Sequence, residues 1–429
     1  MAETCPSRLR RTPVIRLCSI ALRSSNKGAL VKLVYLLGLG AFALGLDAYV
    51  TAGLLPVIAD DFNSSVSATG QMVTTFTLAY AIASPIFAAL LSASRARLGL
   101  LSALAVFALA NIGSALAGNL PVLLITRAFA GVGAGLYLAL AAAGAASLVD
   151  KERRGRALAI IMGGMSSGTV LGVPAGVFIA QHLGWRTTLW IVAAIGLVSF
   201  LGLALRLPVL PATSSVTLRQ RAAVIADPRV ASIVGVSFFA AVASLGLYTY
   251  FAPVMESGSM GNVGNVTPYL WAWGIGGVVG SVLIGRLVDR GRPYALVVGI
   301  LVLLVLSLLA FRVTAAIHPL ISLVPIAVWG GVGWALQVPQ QNDLLAARGD
   351  NGGSVAVALN ESALYLGSAV GSGLGGVAFS LGWDSSVLPL WAAGFALAGL
   401  LLQVTGVRIS AARRSGKAVP QEAAPEAAL

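Results

Sequence analysis

Long apolar blocks and short polar breaks alternate along the whole chain. Twelve blocks of about 20 residues fall near 33–56, 70–91, 98–118, 121–148, 157–181, 187–206, 230–253, 267–289, 294–314, 319–344, 353–380 and 386–407. That length carries an α-helix across about 30 Å of hydrocarbon. Within each block the apolar residues are continuous rather than alternating, which excludes the ten-residue strands of a membrane barrel and predicts helices as the spanning elements. The longest polar connection, 207–229, holds Pro208, Pro211 and Pro228 with several Ser and Thr, and divides the blocks six and six. The expected fold is an all-α membrane protein of twelve transmembrane helices in two pseudo-symmetric six-helix bundles, 33–206 and 230–407. A linker at 207–229 joins the bundles, and basic tails at 1–32 and 408–429 flank them.

The halves echo each other in their glycines. The fifth block carries Gly164, Gly168, Gly172 and Gly176, and its counterpart, the eleventh, carries Gly367, Gly371 and Gly375. A spacing of four places each set on one helix face, where backbones approach closely. Two readings stay open: tight packing alone, or a smooth face along which two bundles rock about a midplane site. Pro174 lies inside the first ridge, removes a backbone hydrogen bond and is expected to kink the helix.

Composition narrows the class further. The chain is 58% hydrophobic and 10% charged, with mean hydropathy +0.90, more apolar surface than one soluble core holds. The net charge of +13 would suit nucleic acid if the basic residues formed a face, but they sit in clusters between spans. Of the 28 Lys and Arg, 25 fall on the side of the termini. Arg186 and Arg312 lie opposite and Arg127 lies within a span, so both termini are expected in the cytoplasm. The basic start imitates a signal peptide, with Ala41-Phe-Ala43 as a mock cleavage site, but its apolar run continues to Leu55. The expectation for the first thirty residues is a disordered basic tail lying on anionic lipid. Cys5 and Cys18 have neither metal nor redox spacing and read as free thiols.

Charges inside spans are the candidates for chemistry, because a carboxylate in hydrocarbon is costly unless paired or protonated. Asp47 lies about 21 Å up the first span at 1.5 Å per residue, and Arg127 about 9 Å below the opposite surface, so their side chains reach similar depth. Such a pair reads either as a static salt bridge or as a proton site. In the second case burial raises the carboxyl's proton affinity, the cation lowers it, and motion switches between them. Glu361, in the eleventh span, is about 12 Å in; it either snorkels or bonds a neighbouring helix, or acts as a second titrating or cation-attracting group. Its neighbour Asn360 and the tenth-span residues Trp334 and Gln337 are candidate lining for the same space. Trp271, Trp273, Trp329 and Trp334 would suit a planar or lipophilic compound, and interface anchoring explains most of them equally well.

No enzyme constellation is present. His182 and His318 sit at span ends without metal-ligand partners, no phosphate-cradling loop occurs, and no cofactor motif is found. An ion gradient is left as the energy source, and the intramembrane acids point to protons.

These residues resemble the major facilitator superfamily, specifically its twelve-span drug:proton antiporter branch of the chloramphenicol-resistance and arabinose-efflux type. Arg127-Ala-Phe-Ala-Gly131-Val-Gly133-Ala-Gly135 is similar to the family's Arg-and-glycine motif linked to proton transfer. Gly164 to Gly176, with Gly172-Val-Pro174, resembles the motif associated with antiport. Asp47 followed by Ala52-Gly-Leu-Leu-Pro56, and Gly184-Trp-Arg186, fit the same group. The loop after the second span departs from the family pattern: Ala89-Leu-Leu-Ser-Ala-Ser-Arg95 has no acid, whereas the second-half copy is intact as Gly285-Arg-Leu-Val-Asp289-Arg290. Asp289 can therefore serve a cytoplasmic gate contact, and the first-half counterpart is in doubt. The resemblance implies a monomer in the bacterial inner membrane that exports a small organic compound in exchange for protons, with no nucleic-acid partner. A sugar or nucleoside exporter is the alternative within this class. A transport-inactive sensor is the alternative outside it, against which stands the lack of a sizeable soluble segment.

Overall fold

Every described element is a helix. The computed structural model describes residues 13–90, 96–150, 153–208, 210, 218–288, 293–349 and 352–415. The first half comprises α1 (Pro13–Asp61), α2 (Val66–Leu90), α3 (Ala96–Ala115), α4 (Leu120–Ser147), α5 (Arg154–Leu183) and α6 (Trp185–Arg206). A short helix, Leu218–Ile225, lies in the linker. The second half comprises α7 (Pro228–Thr249), α8 (Thr267–Val288), α9 (Pro293–Ile317), α10 (Pro319–Arg348), α11 (Gly353–Ser380) and α12 (Leu388–Ser415). Among the described residues eleven of these are long and apolar enough to cross a membrane. The twelfth is α2, equally long but carrying Gln71, Thr74, Thr75 and Thr77. The expected twelve-helix architecture is the observed one.

One expectation needs correcting. The chain is helical from Pro13, so α1 takes in most of the segment read as a disordered tail. Pro13 pre-sets the backbone for a first helical turn, and no proline follows it before Pro56 to stop the helix.

Within each half, glycines decide how closely helices pack. A methyl added to Gly164 or Gly168 would overlap the backbone carbonyl of Gly38 or Phe42 on α1. At Gly367 and Gly371 it would overlap the backbone of α7, at Phe238, Val242 and Gly246. The pseudo-symmetry extends to the other pairs: Gly131 of α4 lies on the Phe76 carbonyl of α2, and Gly330 of α10 lies on the Trp273 carbonyl of α8. The ridges therefore grip α1 and α7 inside their own halves and do not form the seam along which the halves meet. The expectation of a glycine face sliding between bundles is corrected accordingly. Pro174 follows a π-helical segment, Gly168–Gly172, so the α ladder is already broken where the proline removes its donor.

Other residues make the seam. Near the end of the bundle away from the termini, Ser67 of α2 donates to the Gly376 carbonyl of α11 at 2.6 Å. One turn or two deeper, the Thr74 and Ser372 hydroxyls meet at 2.9 Å. Val170 of α5 packs beside Gly274 of α8, and Leu270 of α8 reaches Gly53 of α1. At the same end Asp384, between α11 and α12, accepts from the Ser386 N–H at 2.8 Å and from the Ser259 hydroxyl at 2.9 Å. Hydrogen bonds from Ser386, then Ser259, hold its carboxyl below the usual carboxylate range. The stabilisation is thus complete above the ordinary carboxylate pKa and lost as pH falls through the depressed one. Asp384→Ala is expected to cost about 1 kcal/mol, as loss of a cap does, and to lower the thermal midpoint at neutral pH but not in strong acid.

Candidate functional site

Three helices of the first half bring a carboxylate, an amide and a guanidinium to one point. Asp47 on α1 and Arg127 on α4 are 0% and 1% exposed, so neither charge has water to stabilise it. They pair directly, Arg127 Nη1 donating to Asp47 Oδ1 at 2.7 Å. The depth arithmetic from the sequence therefore holds. Asn111 of α3 completes the group: its Nδ2 donates to Asp47 Oδ2 at 3.4 Å, and its Oδ1 accepts from Arg127 Nη1 at 3.2 Å. A second donation, to the Phe107 carbonyl at 3.1 Å, fixes the amide's orientation. The guanidinium lies over the Phe76 ring at 4.6 Å, a cation–π contact in a desolvated place. Its Nε is buried without a partner.

The arrangement is one carboxylate, one fixed cation and one amide that can both donate and accept. When Asp47 is ionised, the pair is neutral overall. When Asp47 takes a proton, the guanidinium keeps the Asn111 carbonyl and the Phe76 face, so it is not stranded. Asn111 escaped the sequence reading, although its signal was there: it is the only amide or charge between Leu98 and Ala117.

Among the described residues, the corresponding place in the second half holds no ion pair. There the Trp329 indole N–H donates to the Ser244 hydroxyl at 2.7 Å, within a cluster of Tyr248, Phe251, Trp273, Phe311 and Trp329. Tyr49, on α1, projects into this cluster from the other half, its ring 5.8 Å from Tyr248, 6.0 Å from Trp273 and 6.2 Å from Trp334. Beside it, Tyr80 of α2 stacks on Tyr365 of α11 at 3.5 Å between centroids.

Glu361 is partly exposed and accepts from Gln341 Nε2 of α10 at 3.4 Å. It lies one helical turn before Tyr365, whose ring stacks on Tyr80 of α2, and this places it at the seam between the halves. No contact joins it to Asp47 or Arg127 among the described residues. Trp334 and Gln337 are also partly exposed, and Trp334 covers Gly277. Asn360 is a correction. It lies seven and eleven residues before Gly367 and Gly371, on the face that packs against α7. It is fully buried with both amide atoms unpartnered, so it does not line the seam with Glu361. Among the described residues no cluster of His, Cys, Asp and Glu could hold a metal.

Residues 37–372 match the Major Facilitator Superfamily. The chain belongs to this family. It is 30% identical over 372 residues to the inner membrane transport protein YdhP of Escherichia coli K12, covering 87% of this chain and 95% of that one. It is 32% identical over 382 residues to a chloramphenicol resistance protein of Streptomyces lividans, covering 86% and 94%. Among solved structures, a bacterial homolog of the human lysosomal transporter Spinster, inward-facing and unoccupied, superposes with a TM-score of 0.60 at 17% identity over 90% of this chain and 96% of that one. These relatives agree with the fold and with a multi-pass membrane transporter.

Family signatures now have structural meanings. The glycines after Arg127 each meet a neighbouring helix: Gly131 the Phe76 carbonyl, Gly133 the Ala103 and Phe107 backbone, Gly135 the Tyr80 backbone. They let α2 and α3 close on α4 around the ion pair. Gly184, at φ +84°, makes the turn between α5 and α6. Trp185 Nε1 and Arg186 Nη1 then both reach Asp61 at the end of α1, at 3.3 and 2.7 Å. Gly285 faces open space. Asp289 and Arg290, and the acid-free loop at 91–95, lie outside the described residues.

Proposed function

We propose that this transporter exports a small, drug-like organic compound in exchange for protons by alternating access, with Asp47 as the coupling carboxylate. The observation carrying this reading is the fully buried Asp47–Arg127 pair, shared with Asn111, at mid-depth of the first half. A buried ion pair is a poor stabiliser compared with apolar packing. A site that alternately binds and releases one proton is a use for which the pair's cost makes sense. The chloramphenicol resistance relative, matched almost end to end, supports a drug-like cargo. The YdhP relative supports placement in a bacterial inner membrane, and the charge asymmetry of the loops supports cytoplasmic termini.

Alternating access requires the seam between α2 and α11 to open. Oxidative cross-linking of Thr74→Cys with Ser372→Cys, in a background free of Cys5 and Cys18, is expected to abolish export and reduction to restore it, because the two hydroxyls lie 2.9 Å apart. Continued export by the fully cross-linked protein would exclude rocking at this seam.

The direct test uses energised inside-out vesicles and a panel of antibiotics, dyes, sugars and nucleosides, with internal pH followed by a fluorescent probe. An antibiotic or dye that drains the proton gradient is the expected result. A response to sugars or nucleosides alone would replace the drug-like cargo, and transport without any proton flow would overturn antiport.

A further inference from the structure

We infer that the last turn of α6, with its own Arg206, Lys32 of α1 and Arg97 of α3, binds the phosphate headgroup of an anionic phospholipid in the leaflet on the side of the termini. The inference does not depend on the transport reading. Register brings the three cations together. The helices α1 and α6 run antiparallel: Phe62, past the end of α1, meets Trp185 at the start of α6 with rings 5.7 Å apart. At the other end Leu36 lies against Gly202, where its Cδ1 would touch an added methyl at 3.0 Å, and the Ser199 hydroxyl donates to the Leu36 carbonyl at 2.8 Å. Lys32 is one turn before Leu36 and Arg206 one turn after Gly202, so each stands about 6 Å further toward that end, on the facing sides of the two helices. Arg97 reaches the same turn from α3, its Nη2 donating to the Ala204 carbonyl at 3.0 Å, two residues before Arg206.

The group holds three positive charges and no negative one. Among the described residues no carboxylate lies within salt-bridge distance of Lys32, Arg97 or Arg206; Asp150, the described acid at this end of the first half, is not their partner. Like charges gathered in this way repel one another unless an anion joins them. The Arg97 Nε is buried without a partner, a donor still able to take an acceptor. Around the charges the surface is apolar: Tyr35, Leu98 and Leu205 are 54%, 66% and 82% exposed, and Leu98 and Leu205 each adjoin one of the arginines in sequence. A phosphate seated on the cations sets the acyl chains of the same molecule along these side chains, whereas a soluble anion would leave them unused. Basic pockets between spans recognise anionic headgroups in this manner, and guanidinium forks match phosphate oxygens.

The test measures lipid retention. Wild type, the triple variant Lys32→Gln, Arg97→Gln and Arg206→Gln, and a charge-matched control, Arg153→Gln, Arg154→Gln and Arg156→Gln, are purified in mild detergent, checked for monodispersity and immobilised. Glutamine at 97 keeps a donor for the Ala204 carbonyl. Radiolabelled phosphatidylglycerol is titrated in, with unlabelled phosphatidylcholine or inorganic phosphate as competitor. We expect saturable retention by wild type, affinity within twofold of it in the control, and affinity at least tenfold lower in the triple variant. Phosphatidylcholine should compete at least tenfold less well than unlabelled phosphatidylglycerol, and millimolar phosphate should displace nothing. Lys32→Arg with Arg206→Lys, which keeps both charges, should bind like wild type. Equal retention by wild type and the triple variant, or equal loss in the triple variant and the control, would reduce the cluster to general surface charge and overturn the site. Equal competition by phosphatidylcholine would overturn it too, and displacement by inorganic phosphate would give the charges to a soluble anion instead of a lipid. The competition uses wild type alone, so it decides whatever the stability of the variants.

Discussion

Asp47→Asn is expected to abolish export driven by a proton gradient while the protein still reaches the membrane. The asparagine carbonyl can accept the Arg127 Nη1 hydrogen bond now made by Asp47 Oδ1 at 2.7 Å, so local geometry survives. What disappears is the carboxyl proposed to carry the proton, and with it the negative charge opposite a guanidinium that is 1% exposed. Removing one partner of a buried pair costs about 3–5 kcal/mol because the other charge is left uncompensated. The single variant is therefore expected to be less thermostable, and lost export alone would not separate coupling from folding. The double variant Asp47→Asn with Arg127→Gln makes the separation, since it removes both charges and keeps amides able to bond Asn111. A mere structural salt bridge would predict that this neutral variant recovers both stability and export. The proton-site account predicts recovered stability, retained exchange of substrate across the membrane, and no accumulation driven by pH.

The second large effect concerns a single methyl group. Gly168→Ala is expected to eliminate folded protein, because the added carbon would overlap the Phe42 carbonyl and lie 2.9 Å from the Leu46 N–H nitrogen, both backbone atoms of α1. No rotamer change can relieve such a clash, so α1 must move away from α5. That displacement would pull Asp47, one residue beyond Leu46, off Arg127. Gly163 supplies the control. It is the residue before the ridge glycine Gly164, yet nothing lies within 4 Å of its own added methyl, so Gly163→Ala should be neutral or stabilising by up to about 1 kcal/mol from helix propensity. Size-exclusion profiles and thermal melts of the two variants compare them directly. Similar behaviour of both would mean that the α1–α5 contact is looser than described.

Much of the architecture was legible because membrane helices obey few rules. The uniform rise of 1.5 Å per residue brought Asp47 and Arg127 to one depth from sequence alone, and the pairing follows once α1 and α4 share a bundle. The four-residue glycine spacing revealed a packing face on α5 and α11, but a face does not name its partner. The ridges turned out to grip α1 and α7 rather than the opposite half. Facing also defeated the reading of Asn360, which differs from Glu361 by one position and by the whole direction of its side chain. Asn111 was passed over because a single amide in an apolar block has many structural uses. Only the convergence of α1, α3 and α4 gives it both Asp47 and Arg127 as partners.

In the proposed mechanism Asp47 carries the exchanged proton. The measurement that tests it most directly is proton movement per molecule transported, recorded with a pH electrode in weakly buffered proteoliposomes, using the compound that drains the gradient in the vesicle panel. For wild type, proton flow opposite to the substrate is predicted. For Asp47→Asn with Arg127→Gln, exchange of labelled for unlabelled substrate should continue with no net proton flow. Unchanged proton flow in that double variant would contradict the account and move the coupling site elsewhere in the protein.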